Sequence, residues 1–178
     1  MMAAVPIHWI DSSVFIEAKN GPYRFNVVGM FWAFLDTQIA AGTIRCPKLV
    51  YDEIVGNEAA KDELAKWVKA RRRSGLFVAP DRHVQTAMGT VADYVQANYE
   101  SHHAADFLRG ADPWLIAHAL HSNGIVVTHE SKRPANVKKG RVRIPQVSGV
   151  LGVRCINMYD MLEALGADFR ATGQKQGR

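Results

Sequence analysis

Short apolar runs that do not alternate with polar residues constrain the fold of this chain more than any other feature. The clearest are IHWID, around Ile10, and IVVTHE, around Val127, and TIRCP, GLFVAP and CIN fit the same pattern. Such a run is typical of a strand that is buried on both faces. Because helical segments separate the runs, we predict an α/β fold with a parallel sheet covered on both sides by helices.

Several helical segments carry boundary signals. Asp81 precedes a long amphipathic segment and is predicted to cap its helix. In ADPWLIAHALHSNG, Asp112 fits an N-cap, Pro113 fits the first helical position and Gly124 fits the end. The sequence therefore predicts a helix that leads directly into the strand IVVTHE.

The length of 178 residues favours one domain. We predict that it spans residues 1–169 and that residues 170–178, RATGQKQGR, form a flexible basic tail. No apolar run has the roughly 18–20 residues of a membrane helix, so no membrane is expected. The first residues do not resemble a signal peptide, and the expected location is the cytoplasm. Cys46 and Cys155 lie in apolar stretches and are predicted to be buried and unpaired.

The net charge of +5 and the pI of about 9.4 favour anionic partners, nucleic acid first. Much of this charge lies in one segment after position 131, which contains Lys132, Arg133, Lys138, Lys139, Arg141 and Arg143. We predict RNA contacts for Lys138, Lys139 and Arg141. A plain solvated surface is the competing interpretation of the same residues.

Four carboxylates are placed where a parallel sheet would bring them together. Asp11 ends the first strand, and Glu130 ends the strand IVVTHE. Glu53 lies on the helix after the second strand, and Asp112 starts the helix that leads into IVVTHE. In open α/β sheets, ligands bind at the carboxyl ends of the strands. We therefore expect the four acids to converge on one edge of the sheet.

A cluster of carboxylates is repulsive and costly to bury unless a cation neutralises it. Oxygen ligands suit Mg²⁺ or Mn²⁺, and a cation held in this way activates water and stabilises charge on a phosphodiester. We predict that Asp11, Glu53, Asp112 and Glu130 bind such a cation.

Each acid also has a structural interpretation. Asp112 before Pro113 would cap a helix without any catalysis. Adjacent Asp52 competes with Glu53, because neighbouring helical residues point about 100° apart and only one of the two faces the site. Glu130 alone would be an ordinary loop acid.

Asp11 is the hardest of the four to explain as structural, since Asp is unfavourable within strands. The structural alternative is that it caps a turn with Ser12 and Ser13.

His118 and His121 are three residues apart on one predicted helix and could bind one zinc ion together. The chain has no HExxH motif, so a surface pair on that helix is the favoured interpretation. His102 and His103 fall in a predicted loop.

The blocks IDSSVFI, VYDEI, ADPWLIAHA and VVTHES resemble, in this order, the four acidic signatures of PIN-domain ribonucleases, the group that includes VapC-type toxins. The closing RCINMYDMLEALG resembles an uncharacterised bacterial subfamily of PIN-domain proteins. The resemblance extends from about Ile7 to Leu165. It implies a three-layer α/β/α sandwich with a central parallel sheet, cleavage of single-stranded RNA with Mg²⁺ or Mn²⁺, and a homodimer.

The resemblance also implies a role for each residue of the site. Asp11 would be the first metal ligand with Ser12 as its hydroxyl neighbour, Glu53 the acid on a helix and Asp112 the third ligand. Glu130 takes the fourth position, where family members more often have Asp after a Thr-x pair, here begun by Thr128. Ser12 and Thr128 are expected to contact substrate. The long basic loop departs from the compact toxins, whose protein partner is an antitoxin.

The leading prediction is thus a metal-dependent endoribonuclease, and a toxin of a toxin–antitoxin pair is its most specific form. The alternative is a PIN-like module that binds RNA or a protein without cleaving. A third interpretation, a phosphoryl-transfer enzyme with a nucleophilic Asp, usually needs a second Asp two residues on, where this chain has Ser13.

Overall fold

A central sheet of five parallel strands organises the protein. The computed structural model describes residues 5–56, 62–131 and 140–169. The strands are β1 (His8–Ile10), β2 (Ile44–Pro47), β3 (Phe77–Val78), β4 (Ile125–Val127) and β5 (Arg154–Ile156). Their order across the sheet is β3-β2-β1-β4-β5. The predicted parallel sheet is confirmed, and every strand falls in a run that the apolar pattern identifies.

Nine helices within the described ranges cover the two faces of the sheet. They are α1 (Ser12–Asn20), α2 (Gly29–Ala41), α3 (Lys48–Gly56), α4 (Glu63–Ala70), α5 (Arg82–Asn98), α6 (Ser101–Arg109), α7 (Asp112–Ser122), α8 (Ile144–Val150) and α9 (Met158–Ala164). One core packs α1–α4 and α9 on Ile10 and Val127, and the other packs α5–α8 on Trp9 and Val126. Successive strand residues thus feed opposite faces, and the three-layer α/β/α sandwich is confirmed.

The order of the strands creates a crevice beside β1. The chain moves outward from β1 to β2 and β3, and then returns to place β4 on the other side of β1. In such sheets the ligand site lies at the carboxyl ends of the two strands where the order reverses. The register pairs Ile10 with Val127, so Asp11 and Thr128 leave the sheet side by side.

Three helices were not predicted from the sequence. Helix α1 begins at Ser12, so only Asp11 separates it from the first strand. Helix α6 contains His102 and His103, and the loop predicted for these two residues was wrong. Helix α8 contains Pro145, which is tolerated because it lies in the first turn of the helix.

Helix α7 carries Asp112 to the site and differs slightly from its prediction. It begins at Asp112 with Ala111 before it, so Asp112 is the first helical residue and not the cap. It ends at Ser122, and Asn123 takes the left-handed conformation that Gly124 was expected to provide. Gly124 is needed for another reason: a Cβ there would lie 2.7 Å from the Ile7 carbonyl oxygen.

Other boundary predictions are confirmed. The Asp81 side chain accepts a hydrogen bond of 2.9 Å from the backbone N–H of Val84 at the start of α5.

Cys46 is buried and Cys155 half-buried, and neither forms a disulfide. In the described ranges no helix is long and apolar enough to cross a membrane. The predicted tail at 170–178 lies outside the described residues, and the extent of the domain, 1–169, stays a prediction.

Candidate metal centre

A cavity of about 660 Å³ opens at the carboxyl ends of β1 and β4. All four predicted acids line it. The complete lining is Asp11, Ser12, Ser13, Glu53, His103, Asp106, Phe107, Gly110, Asp112, Glu130, Arg141 and Val142. Five of these side chains are carboxylates and one is an arginine, so the cavity is strongly acidic at neutral pH. The fold therefore brings together the residues that the sequence placed on one edge of the sheet.

Asp11 is held by hydroxyl groups. It is only 5% exposed, and its Oδ2 accepts hydrogen bonds from Ser13 and, at 2.9 Å, from Thr128 Oγ1. Asp11 occupies the N-cap position of α1, yet its side chain accepts no bond from the helix backbone. The bond from Ser13 supports part of the turn interpretation. Among the described residues, the other oxygen, Oδ1, accepts only a long hydrogen bond of 3.4 Å, from Ser12 Oγ. This oxygen is therefore available for an additional ligand.

Glu53, and not Asp52, is the acid of helix α3 that faces the site. Its Oε2 accepts a hydrogen bond of 3.0 Å from Ser12 Oγ, and its Oε1 accepts one of 3.1 Å from the backbone N–H of Ala111. Asp52 is exposed and does not line the cavity. The bond to Ala111 ties Glu53 to the residue that immediately precedes Asp112.

Asp112 has the most perturbed carboxyl group of the site. Its pKa is raised from 3.8 to about 7, mainly by burial and then by the negative charges of Asp11, Glu130 and Glu53 in that order, while Arg141 opposes the shift. Among the residues that the structure describes, none donates a hydrogen bond to this carboxylate, and its predicted capping role is absent. A half-buried carboxylate without donors beside three other acids is costly unless a cation compensates it.

Glu130 is partly committed to a structural bond. Its Oε2 accepts a hydrogen bond of 2.9 Å from the backbone N–H of Ile144, the first residue of α8. Its own backbone N–H donates to Thr128 Oγ1 at 3.1 Å. The carboxylate thus caps α8 with one oxygen and reaches the cavity as well. This dual use fits the loop-acid interpretation and leaves Oε1 for a cation or a water.

The donor set of this cavity fits a hard divalent cation. All the acidic donors are oxygens, which is the composition that suits Mg²⁺ or Mn²⁺. Asp11 and Glu53 are oriented by hydrogen bonds from neighbouring groups, as metal-binding carboxylates commonly are. Asp11, Glu53 and Asp112 would hold the cation, with Glu130 beside them.

The residues predicted to contact substrate have different placements. Ser12 and Arg141 line the cavity, as expected. Thr128 does not: it is 1% exposed, and its hydroxyl is used between Asp11 and the Glu130 backbone. The prediction of a substrate contact for Thr128 therefore needs correction, since its position makes it a residue that orients Asp11. Lys138 and Lys139 lie outside the described residues.

Sequence reasoning missed part of the cavity wall. Ser13 lies two positions after Asp11, and its hydroxyl also accepts a hydrogen bond of 3.1 Å from the backbone N–H of His129. A pair of hydroxyl residues after a strand-end Asp was a usable signal for it. His103 and Asp106 come from α6. Their spacing of three residues becomes informative only once that segment is known to be a helix.

The surface placement predicted for the two histidines of α7 was wrong for His118 and confirmed for His121. His118 is buried and stacks on Trp9 with ring centroids 4.4 Å apart, and burial lowers its pKa to about 4. His121 is exposed and stacks on His83 instead. The two side chains therefore point in different directions, and the first is a core residue.

The fold and the cavity define a parallel α/β protein with a carboxylate site at its strand ends. The family of domains of unknown function designated DUF4411 matches residues 8–169, so the chain belongs to this family. No curated protein matches the chain.

Proposed function

We propose that this protein is a metal-dependent endoribonuclease of the PIN type that cleaves single-stranded RNA with Mg²⁺ or Mn²⁺. The observation that carries the proposal is the carboxylate of Asp112. It receives no hydrogen bond from any residue in the described ranges, and its pKa is raised to about 7 by burial and by three neighbouring acids. A divalent cation compensates such a group, whereas a purely structural role leaves its cost unexplained.

The placement of the four acids supports the PIN resemblance. The blocks that resemble the acidic signatures of PIN-domain ribonucleases contribute Asp11, Glu53, Asp112 and Glu130, and all four line one cavity. The cavity lies at the point where the strand order reverses, the usual ligand position in an open α/β sheet. Both features are consistent with the proposal.

The residues of the chain have separate tasks in this proposal. Asp11, Glu53 and Asp112 hold the cation, and Glu130 holds a second cation or an outer-shell water. When bound, the cation supplies activation of water and neutralises charge on the phosphate. Arg141 donates to phosphate oxygens with its guanidinium group, for which planar donors are well suited.

RNA is the proposed substrate because of the charge of the whole chain. The net charge is +5 although the cavity is acidic, so the positive charge lies elsewhere on the chain. Lys138 and Lys139 precede Arg141, which reaches the cavity rim. These residues would bind the phosphates that flank the cleaved bond. A homodimer and an antitoxin partner, with a cytoplasmic location, belong to the same proposal.

The decisive experiment measures cleavage of a fluorescent single-stranded RNA with Mn²⁺, with Mg²⁺ and with EDTA. Asp112→Asn and Glu53→Gln should abolish cleavage with an unchanged circular dichroism spectrum. Asp52→Asn is the matched control, because it removes an adjacent acid on the same helix that does not line the cavity, and it should cleave normally. Equal activity of Glu53→Gln and Asp52→Asn would contradict the assignment of Glu53.

A non-catalytic PIN-like module that binds RNA or protein is the second candidate. It is favoured by the commitment of the acids to structural bonds: both oxygens of Glu53 and one of Glu130 accept hydrogen bonds. If the protein binds RNA but does not cleave it with Mn²⁺, with Mg²⁺ or with EDTA, the result would support this candidate and rule out the nuclease.

A further inference from the structure

A second group of side chains with the chemistry of metal ligands lies at the start of α6, outside the set of acids described above. One ligand atom each from Glu100, His102 and His103 lie within 4.8 Å of one another. The two imidazole rings have centroids 3.9 Å apart, and Glu100 Oε2 lies 3.7 Å from His102 Nδ1. Because consecutive residues of a helix point about 100° apart, these rings meet only when both side chains turn toward each other.

We propose that Glu100, His102 and His103 bind a transition-metal cation such as Zn²⁺, in a site separate from the carboxylate centre. Two imidazole nitrogens and one carboxylate oxygen suit Zn²⁺, Ni²⁺ or Cu²⁺, whereas the oxygen-only donors of the other centre suit Mg²⁺ or Mn²⁺. The two centres are therefore selective for different cations. This inference does not depend on the proposed nuclease activity.

The geometry needs only small side-chain movements. Zinc bonds of roughly 2.0–2.1 Å in a tetrahedron place ligand atoms about 3.3 Å apart. The present separations, up to 4.8 Å, close by rotation of side chains that are largely exposed: His102 is 65% exposed and Glu100 is 54% exposed. Three protein ligands leave the fourth position to solvent, so the cation reaches the site without any opening of the fold.

The three side chains are available for a cation. In the described part of the chain none of these side chains makes a hydrogen bond, and the carboxylate of Glu100, the N-cap residue of α6, accepts none from the helix backbone. The partial positive charge of a helix N-terminus disfavours a cation, and the negative charge of Glu100 offsets it. Two neutral imidazoles in contact bind a metal readily, whereas two protonated ones repel each other.

The site also borders the carboxylate cavity. His103 lines that cavity, and so does Asp106 one helical turn further along α6. A cation on His103 would therefore lie in the cavity wall. This arrangement gives transition metals a way to affect the carboxylate centre without replacing its cation.

The protein contains a matched comparison in a second pair of imidazoles. His83 and His121 stack with centroids 5.4 Å apart and lie near the carboxylate of Asp81. That carboxylate is already used to cap α5 through its bond to Val84. Unlike Glu100, His102 and His103, these residues do not form a group of ligand atoms within 4.8 Å in the described part of the chain. His121→Gln is therefore the control for nonspecific binding to surface histidines.

The experiment titrates Zn²⁺ into the full chain by calorimetry in a millimolar excess of Mg²⁺, which competes with Zn²⁺ for the carboxylate centre. Visible absorption of Co²⁺ reports whether nitrogen ligands are present. We expect one equivalent of Zn²⁺ to bind, an affinity loss of about tenfold or more in His102→Gln and in Glu100→Gln, and no change in His121→Gln. Asp112→Asn should also leave this binding unchanged.

Three results would overturn the proposal: no binding of Zn²⁺ by the natural chain, unchanged affinity in His102→Gln, or loss of the bound equivalent in Asp112→Asn. The last result would assign the Zn²⁺ to the carboxylate centre. The Zn²⁺ titration does not measure RNA cleavage, so its results keep the same meaning if the nuclease proposal fails.

Discussion

The Thr128 hydroxyl donates a 2.9 Å hydrogen bond to Asp11 Oδ2 and joins the ends of the two central strands. The Thr128 hydroxyl oxygen also accepts a 3.1 Å hydrogen bond from the backbone N–H of Glu130. One buried side chain thus sets the position of two of the four acids. Its effect on the site comes from orientation, since its hydroxyl does not reach the cavity.

The first prediction tests this orienting role. Thr128→Val keeps the shape of the side chain but removes both hydrogen bonds, and it should lower the free energy of unfolding by about 1–3 kcal/mol. It should also weaken Mn²⁺ binding, because Asp11 loses the donor that orients it. Thr128→Ser keeps the hydroxyl and is the control. Denaturant unfolding and calorimetric Mn²⁺ titration measure the two effects, and a Val variant that matches the Ser variant in both would contradict the role.

The second prediction concerns the stability of the metal-free protein. The folded pKa of Asp112, about 7, lies above the unfolded value of 3.8, so the protonated form favours folding. The stability that this group contributes is complete below pH 3.8 and is lost as the pH rises through about 7. At pH 8 with EDTA, Asp112→Asn should therefore be more stable than the natural chain, by about 2–4 kcal/mol.

Addition of Mn²⁺ should reverse the order. A cation at a hundredfold excess over its dissociation constant stabilises the natural chain by about 2.7 kcal/mol, and Asp112→Asn should gain less. Asp11→Asn is the comparison: it also removes a repelling charge, but it disturbs the bonds from Ser13 and Thr128, so its metal-free gain should be smaller. Thermal melts with EDTA and with Mn²⁺ provide the data. A metal-free Asp112→Asn protein that melts below the natural chain would show that the carboxylate is structural.

The third prediction concerns RNA binding by the basic segment. In an Asp11→Asn background, which keeps the RNA intact, Arg141→Ala should weaken binding and reduce the slope of log affinity against log salt by about one. The triple replacement of Lys138, Lys139 and Arg141 should have a larger effect. Arg154→Ala is the control, because Arg154 is an exposed cation at the amino end of β5, away from the cavity. Fluorescence anisotropy at several salt concentrations measures the slopes, and equal slopes for Arg141→Ala and Arg154→Ala would place the segment away from RNA.

The fourth prediction concerns acid stability. The pKa of the buried His118 is lowered from 6.5 to about 4, mainly by desolvation, so a proton binds the unfolded chain more readily than the folded one. Above about pH 6.5, His118 has no effect on the free energy of unfolding. As the pH falls from 6.5 to 4, protonation of this residue in the unfolded chain lowers the free energy of unfolding by up to about 3 kcal/mol. His118→Phe retains the stacking on Trp9 and should remove that loss. Unfolding free energies between pH 4 and 8 measure the difference from the natural chain, and the exposed His121→Gln variant should retain the natural pH dependence.

Much of the architecture followed from local sequence patterns. Short apolar runs indicated the positions of all five strands, most clearly β1 and β4, whose residues are all buried. The Asp81 cap was predicted correctly, since a cap depends on residues three positions apart. Helices α1, α6 and α8 were missed because their local signals are weak and packing on the sheet stabilises them.

The sequence by itself determined that carboxylates would stand at the ends of two central strands, and it identified the four acids that line the cavity. Only the tertiary structure decided their surroundings: that Glu53 rather than Asp52 faces the cavity, that Thr128 orients Asp11, and that no described residue donates to Asp112. These relations join residues far apart in the chain, Asp11 and Thr128 being separated by 117 positions. They depend on strand register and on helix packing, which no local pattern of residues specifies.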